Sequence, residues 1–200
     1  MSLGLLNTVP GTITKKPFLK IERSAIPNGL PLSFRQVKTA LRVDRDDEDG
    51  RIAGLIRTGE QAMEQIHNIV LQTQSFVGYL DSWPSQVDIR LWPTTAITSV
   101  KYYNSSDVLT TMPTSDYRVD LKSDPANIVF DEAPTLYDKP NPIEITFVCG
   151  FATLANVPPN LVEAINLYCM QRYDCPLDQQ KPGVPTGFDA LVGYHSKKTY

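Results

Sequence analysis

One change of period organises the chain. Apolar residues recur at helical spacing up to about residue 70, alternate between about 73 and 149, and return to helical spacing after 158. In the first stretch Ser33 stands as N-cap to Phe34, Val37, Ala40 and Leu41, which predicts a short helix over 33–42. A longer helix over 46–70 carries the stripe Ile52, Leu55, Ile56, Ala62, Met63, Ile66 and Val70, with Gly59 on the same face where a neighbour can approach closely. The acidic link Asp44–Asp49 precedes its first turn, where carboxylates complement the positive end of the helix dipole. Together the two helices read as a helical hairpin.

Period two then takes over. Val87–Leu91 and Ile97–Tyr102 alternate, and Asn104–Asp107 is a turn. Val108–Thr111, Tyr117–Leu121, Ile128–Phe130 and Ile143–Val148 follow, giving five to seven short strands at the spacing of antiparallel hairpins. Pro158 and Pro159 open a helix over 159–173. Its apolar residues Leu161, Val162, Ala164, Ile165, Tyr168, Cys169 and Tyr173 lie on more than one side, so it must be sandwiched between layers or against another subunit. Residues 1–31, broken by Pro10, Gly11, Pro17, Pro27, Gly29 and Pro31, form an extended arm with one short strand at Phe18–Ile21. Residues 174–200 form a C-terminal arm that carries one apolar patch, Phe188–Val192. The expected fold class is α+β. A helical hairpin and a C-terminal helix pack with an inserted antiparallel β-region (73–149), in a single domain over 32–173 between two extended arms.

Composition narrows the function. A net charge of −3, with Lys15–Lys16 and Lys197–Lys198 as isolated basic pairs, gives no cluster able to release counterions from phosphates, which argues against a dedicated nucleic-acid binder. No run approaches the roughly 18 apolar residues of a membrane span, and Met1–Pro10 lacks the basic-then-apolar order of a signal peptide. Cys149, Cys169 and Cys175 are odd in number and without C-x-x-C spacing, which reads first as buried reduced thiols and second as a reactive or paired role for Cys169 and Cys175. The acidic run fails as a calcium loop: with Gly50 at position 6, position 1 is Arg45 and position 12 is Ile56. His67 and His195 have no ligand set or nucleophile turn beside them, and no P-loop or G-x-G-x-x-G occurs. No catalytic, cofactor-binding or metal residue is therefore assigned. Trp83, Trp92, Tyr102 and Tyr103 read first as sheet core and second as an aromatic platform for a sugar or another protein.

The order of the pieces goes further. Pro31–Lys38, Leu41–Asp44, Asp46–Asp49 and Leu55–Ile56 resemble the start of phage and prophage head–tail connector (adaptor) proteins, in the branch with a β-region inserted between its helices. Pro93 before Ile97–Tyr103, Ser115–Asp120, Ile145–Phe147 before Gly150, Val157–Pro158, and Phe188–Leu191 followed by Tyr194 and Lys197 continue that resemblance over roughly residues 30–195. One departure lies after the long helix, where His67–Val70 stands in place of a Thr-Gly-Arg-like turn. The resemblance implies a non-enzymatic virion-assembly protein without cofactor, assembled in the bacterial cytoplasm and then held in the virion neck. It would be a homo-oligomeric ring below the portal protein, with tail-side proteins beneath it. DNA would cross its channel as passive cargo, and no membrane is involved. The subunit-interface residues expected on that reading are Phe188, Leu191, Val192 and Tyr194. The alternative is a tail or baseplate binding module using the aromatic β-surface.

Overall fold

The computed structural model describes residues 20–24, 29–175 and 183–196, with side chains as far as Gly193. The fold is α+β, as the periods predict. Helices α1 (Phe34–Leu41) and α2 (Asp49–His67) precede the β-region, and helices α3 (Pro159–Asp174) and α4 (Phe188–Ser196) follow it. Eight strands are described: β1 (Lys20–Arg23), β2 (Gln74–Leu80), β3 (Gln86–Ile89), β4 (Thr94–Tyr103), β5 (Leu109–Thr111), β6 (Tyr117–Asp120), β7 (Ala126–Phe130) and β8 (Ile143–Cys149). They form an antiparallel sheet in the order β1-β2-β8-β4-β5 and a smaller one in the order β3-β7-β6. The strand expected at Phe18–Ile21 overlaps β1 at Lys20 and Ile21, and its Phe18 and Leu19 lie outside the described residues.

Two cores result. Phe76, Val100, Ile143, Ile145 and Phe147 from the larger sheet meet Val87, Ile89 and Ile128 from the smaller one, with the Phe76 and Phe147 rings stacked at 5.8 Å. The second core joins all four helices through Val37, Ile52, Ile56, Met63, Leu161, Ile165, Tyr168, Phe188 and Val192. Gly59 does what its place on the stripe predicts: a Cβ there would stand 3.2 Å from Cδ1 of Tyr168, so α2 and α3 touch almost backbone to ring. Arg51 fixes the antiparallel pairing of these helices by donating to the Tyr173 carbonyl at 2.9 Å and lying over its ring.

A seam of three chain crossings locks the cores together. Val70 N–H donates to the Trp92 carbonyl at 2.8 Å, and Trp92 N–H to that of Asn68, also at 2.8 Å. Gly150 and Phe151 likewise donate to the Pro93 and Leu71 carbonyls. Because the segment is extended, its side chains alternate: Ile69 and Leu71 enter the helical core while Val70 enters the sheet core. At Gly150, with φ of +109°, any Cβ would fall 2.2 Å from the Gln72 carbonyl oxygen, so only glycine fits.

The seam explains two departures from the expected long helix. It ends at His67, not at residue 70, because Asn68 adopts the left-handed cap (φ 58°) and returns its N–H to the Glu64 carbonyl. Val70 therefore belongs to the sheet core. Ile66 is 51% exposed, since the inward place in the last turn is taken by His67, which packs on Phe188 and meets Asp189 Oδ1 at 2.8 Å. A third departure concerns the C-terminal arm. From Phe188 onward it is a helix, and Phe188 and Val192 are wholly buried against α2 and α3.

Candidate functional site

The acidic link closes on itself. Lys38 on α1 donates to Asp49 Oδ1 at 2.7 Å, to Asp46 Oδ1 at 2.9 Å and to the Arg45 carbonyl at 2.8 Å. Hydrogen bonds to Asp49 and then Asp46 hold the ammonium above its ordinary pKa. Beside them lies an open groove of about 480 Å³ lined by Phe34, Arg35, Lys38, Thr39, Val43, Asp44, Asp46 and Asp49. Within it Lys38 is paired with Asp46 and Asp49, and no histidine or cysteine lines it. Among the described residues no group of three or more His, Cys, Asp or Glu side chains is placed to hold a metal.

The other candidate groups are structural. Burial pushes the Cys149 and Cys169 thiols up to about 12, which leaves almost no thiolate at neutral pH. Both are expected to resist alkylation at pH 8 in the native protein and to be labelled completely in denaturant, read by peptide mass spectrometry. Rapid native labelling of either would contradict the packing at that site. His67 ties the end of α2 to α4. His195 and Tyr194 sit on α4 with side chains outside the described residues.

The aromatic residues do not form a platform. Trp83 is half-buried, donates Nε1–H to the Pro134 carbonyl at 2.8 Å and packs edge-on against Tyr102 and Phe130. Trp92 stacks edge-on against Phe151 at the seam. Tyr103 alone of the four faces outward, beneath the Lys139 ammonium 3.0 Å from its ring centre.

What remains is the outer face of the five-stranded sheet. Strand register aligns Lys20, Tyr79, Glu144, Lys101 and Thr111 in one rung across all five strands. The next rung aligns Glu22, Val77, Thr146 and Ser99, while Tyr103 lies opposite Leu109. Val77, Tyr79, Thr146, Val148 and Tyr103 are half-buried and belong to neither core. At the β4–β5 end, the Asn104 side chain accepts from the Ser106 and Val108 amides and holds the tight turn that the sequence predicts. That turn leaves Val108 55% and Leu109 41% exposed, near Tyr137, whose N–H donates to the Tyr103 carbonyl. Val108, Leu109 and Tyr137 are exposed apolar side chains at this end of a face whose rungs otherwise carry Lys20, Glu22, Lys101 and Glu144. Apolar exposure marks a contact surface more often than a reaction site.

Of the interface residues expected from sequence, Phe188 and Val192 are sealed inside their own subunit and have no surface to offer a neighbour. Leu191 is half-buried, and Asn160 of α3 donates to its carbonyl at 2.8 Å. The outer sheet face was missed because its residues read as ordinary strand positions. Only the pairing of β8 between β2 and β4 brings them together.

No protein-family model matches the chain, and no curated protein matches it. Its fold is similar to that of solved chains from gene transfer agent (GTA) particles. One is from the "Neck of empty GTA particle computed with C6 symmetry", 21% identical, with a TM-score of 0.73 over 88% of this chain and 94% of that one. A second is from the "Virion of native gene transfer agent (GTA) particle", 21% identical, with a TM-score of 0.73 over 87% and 93%. A third is from the "Neck of native GTA particle computed with C12 symmetry", 19% identical, with a TM-score of 0.65 over 88% and 93%. The likeness is one of fold, and it spans nearly the whole of each chain.

Proposed function

We propose that the chain is a structural subunit of a virion neck, a head–tail connector that assembles into a ring below the portal and catalyses nothing. The observation that carries this reading is the likeness of nearly the entire fold to chains of particle necks, both helical and β parts included. The surface chemistry agrees with it. The Lys38, Asp46 and Asp49 cluster is paired within the subunit, and the exposed Val108, Leu109 and Tyr137 at the β4–β5 end of the sheet are suited to contact with protein. A closed ring needs two different surfaces on each subunit.

The channel of such a ring must let DNA slide. With a net charge of −3, the subunit is expected to bind duplex DNA only weakly and without sequence preference. Fluorescence titration at physiological salt checks this, and sub-micromolar affinity would contradict a passive channel. The place in the virion is tested by gold-labelling a tagged chain in assembled particles. The neck reading requires label at the junction of head and tail. Label at the tail tip would favour a baseplate module instead.

A further inference from the structure

We propose that Glu60 and Gln72 form a proton-dependent joint between α2 and the seam, closed most tightly when the Glu60 carboxyl is neutral.

The geometry begins on one face of α2. Glu60 and Glu64 stand four residues apart, so their carboxyl groups are neighbours on the side turned to the seam and to β1. Arg23 of β1 pairs with Glu64, with both side chains largely buried. Glu60 meets an uncharged partner instead: Gln72 Nε2 donates to its two carboxyl oxygens at 3.0 and 3.2 Å. Gln72 is held in place on its other sides. Its backbone bridges to Phe151 and closes on Gly150, and its Oε1 lies 3.1 Å from where a Cβ on Gly29 would stand. The bond therefore ties the middle of the long helix to the crossing that joins the two cores.

The charged groups facing Glu60 are Glu64 and Arg57 on its own helix and Arg23 on β1, while the seam presents the neutral Gln72 amide. Burial, and after it the Glu64 charge, push the Glu60 carboxyl above its ordinary pKa. The Gln72 bond and the two arginines offset this only in part.

Hydrogen-bond capacity makes the neutral form the better partner. A carboxylate only accepts, so it takes the amide N–H and offers the Gln72 oxygen no proton. A carboxylic acid also donates. After a small turn of the amide, acid and carboxamide pair at two points, N–H to the acid's carbonyl and O–H to Gln72 Oε1. Neutral Glu60 also removes the like charge four residues from Glu64. Because the folded-state pKa is raised, this contribution to stability is complete below the ordinary glutamate value. It is lost as pH rises through the raised one.

The test compares full-length wild type with Glu60→Gln, which keeps the shape of the acid and cannot ionise. At pH 8 the variant is expected to melt higher by at least about 2 °C. Hydrogen exchange should also be slower at the Val70 and Trp92 amides, which bond across the seam. Both differences should vanish toward pH 4, where wild-type Glu60 is neutral too. A variant that melts no higher at pH 8, a difference that is the same at both pH values, or unchanged seam exchange would overturn the inference. If the variant does not fold, carbon-13 NMR of the Glu60 carboxyl in the wild type decides. A midpoint above the ordinary glutamate value supports the joint, and one at or below it overturns the joint. All of these are read on the subunit itself, so their outcome is independent of whether rings form.

Discussion

Met63→Asp is expected to abolish the cooperative fold. Met63 is wholly buried on the stripe of α2, in the core that joins all four helices. An aspartate there is an ionised carboxylate without a partner in an apolar site, a penalty on the order of 4 kcal/mol or more. That consumes much of the roughly 5–15 kcal/mol by which a domain is stable. Ile66→Asp, three residues on, is the control. Ile66 is 51% exposed, so the same charge should move the melting temperature by no more than a few degrees. Circular dichroism melts of the two variants separate them. Equal melts would place the helix in the wrong phase.

Deleting residues 186–200 is expected to unfold the subunit, not merely to disable its assembly. The deletion removes Phe188 and Val192, both with no exposed surface, and uncovers Tyr168 and the last turn of α2 beneath them. It also breaks the His67–Asp189 contact and the Asn160 bond to the Leu191 carbonyl. Phe188→Ala isolates the largest piece. A buried Phe→Ala change costs about 3–5 kcal/mol, and at about 2–4 °C per kcal/mol for a chain of this size the melting temperature falls by roughly 6–20 °C. A truncated chain that melts like wild type would return Phe188 and Val192 to a surface role and contradict the packing of α4.

These two variants mark where sequence and structure part. The α+β order, the Asn104–Asp107 turn and the helix from Pro159 are local matters of period and turn chemistry, and they are legible in the chain; that the sheet takes its edge strand β1 from before the helices is not. Nor is the end of α2. Ile66 and Val70 fit the helical period, and only the left-handed Asn68 and the docking of Phe188 reassign them. Strand β2 carries a buried Gln74 and Gly78 among its inward positions, which blurs its alternation. Two register shifts blur that of β4 in the same way. The short apolar run at Phe188 reads as a patch in search of a surface, and the surface is its own subunit. The outer sheet face is the least legible part of the candidate site, because β1, β2, β8 and the β4–β5 hairpin that build it lie far apart in sequence.

Electron microscopy of the purified protein at its highest soluble concentration decides whether the chain closes into a ring. Closed rings of uniform diameter, around a hole wide enough for a DNA duplex, are expected. Single subunits at every concentration, or open filaments, would contradict ring closure.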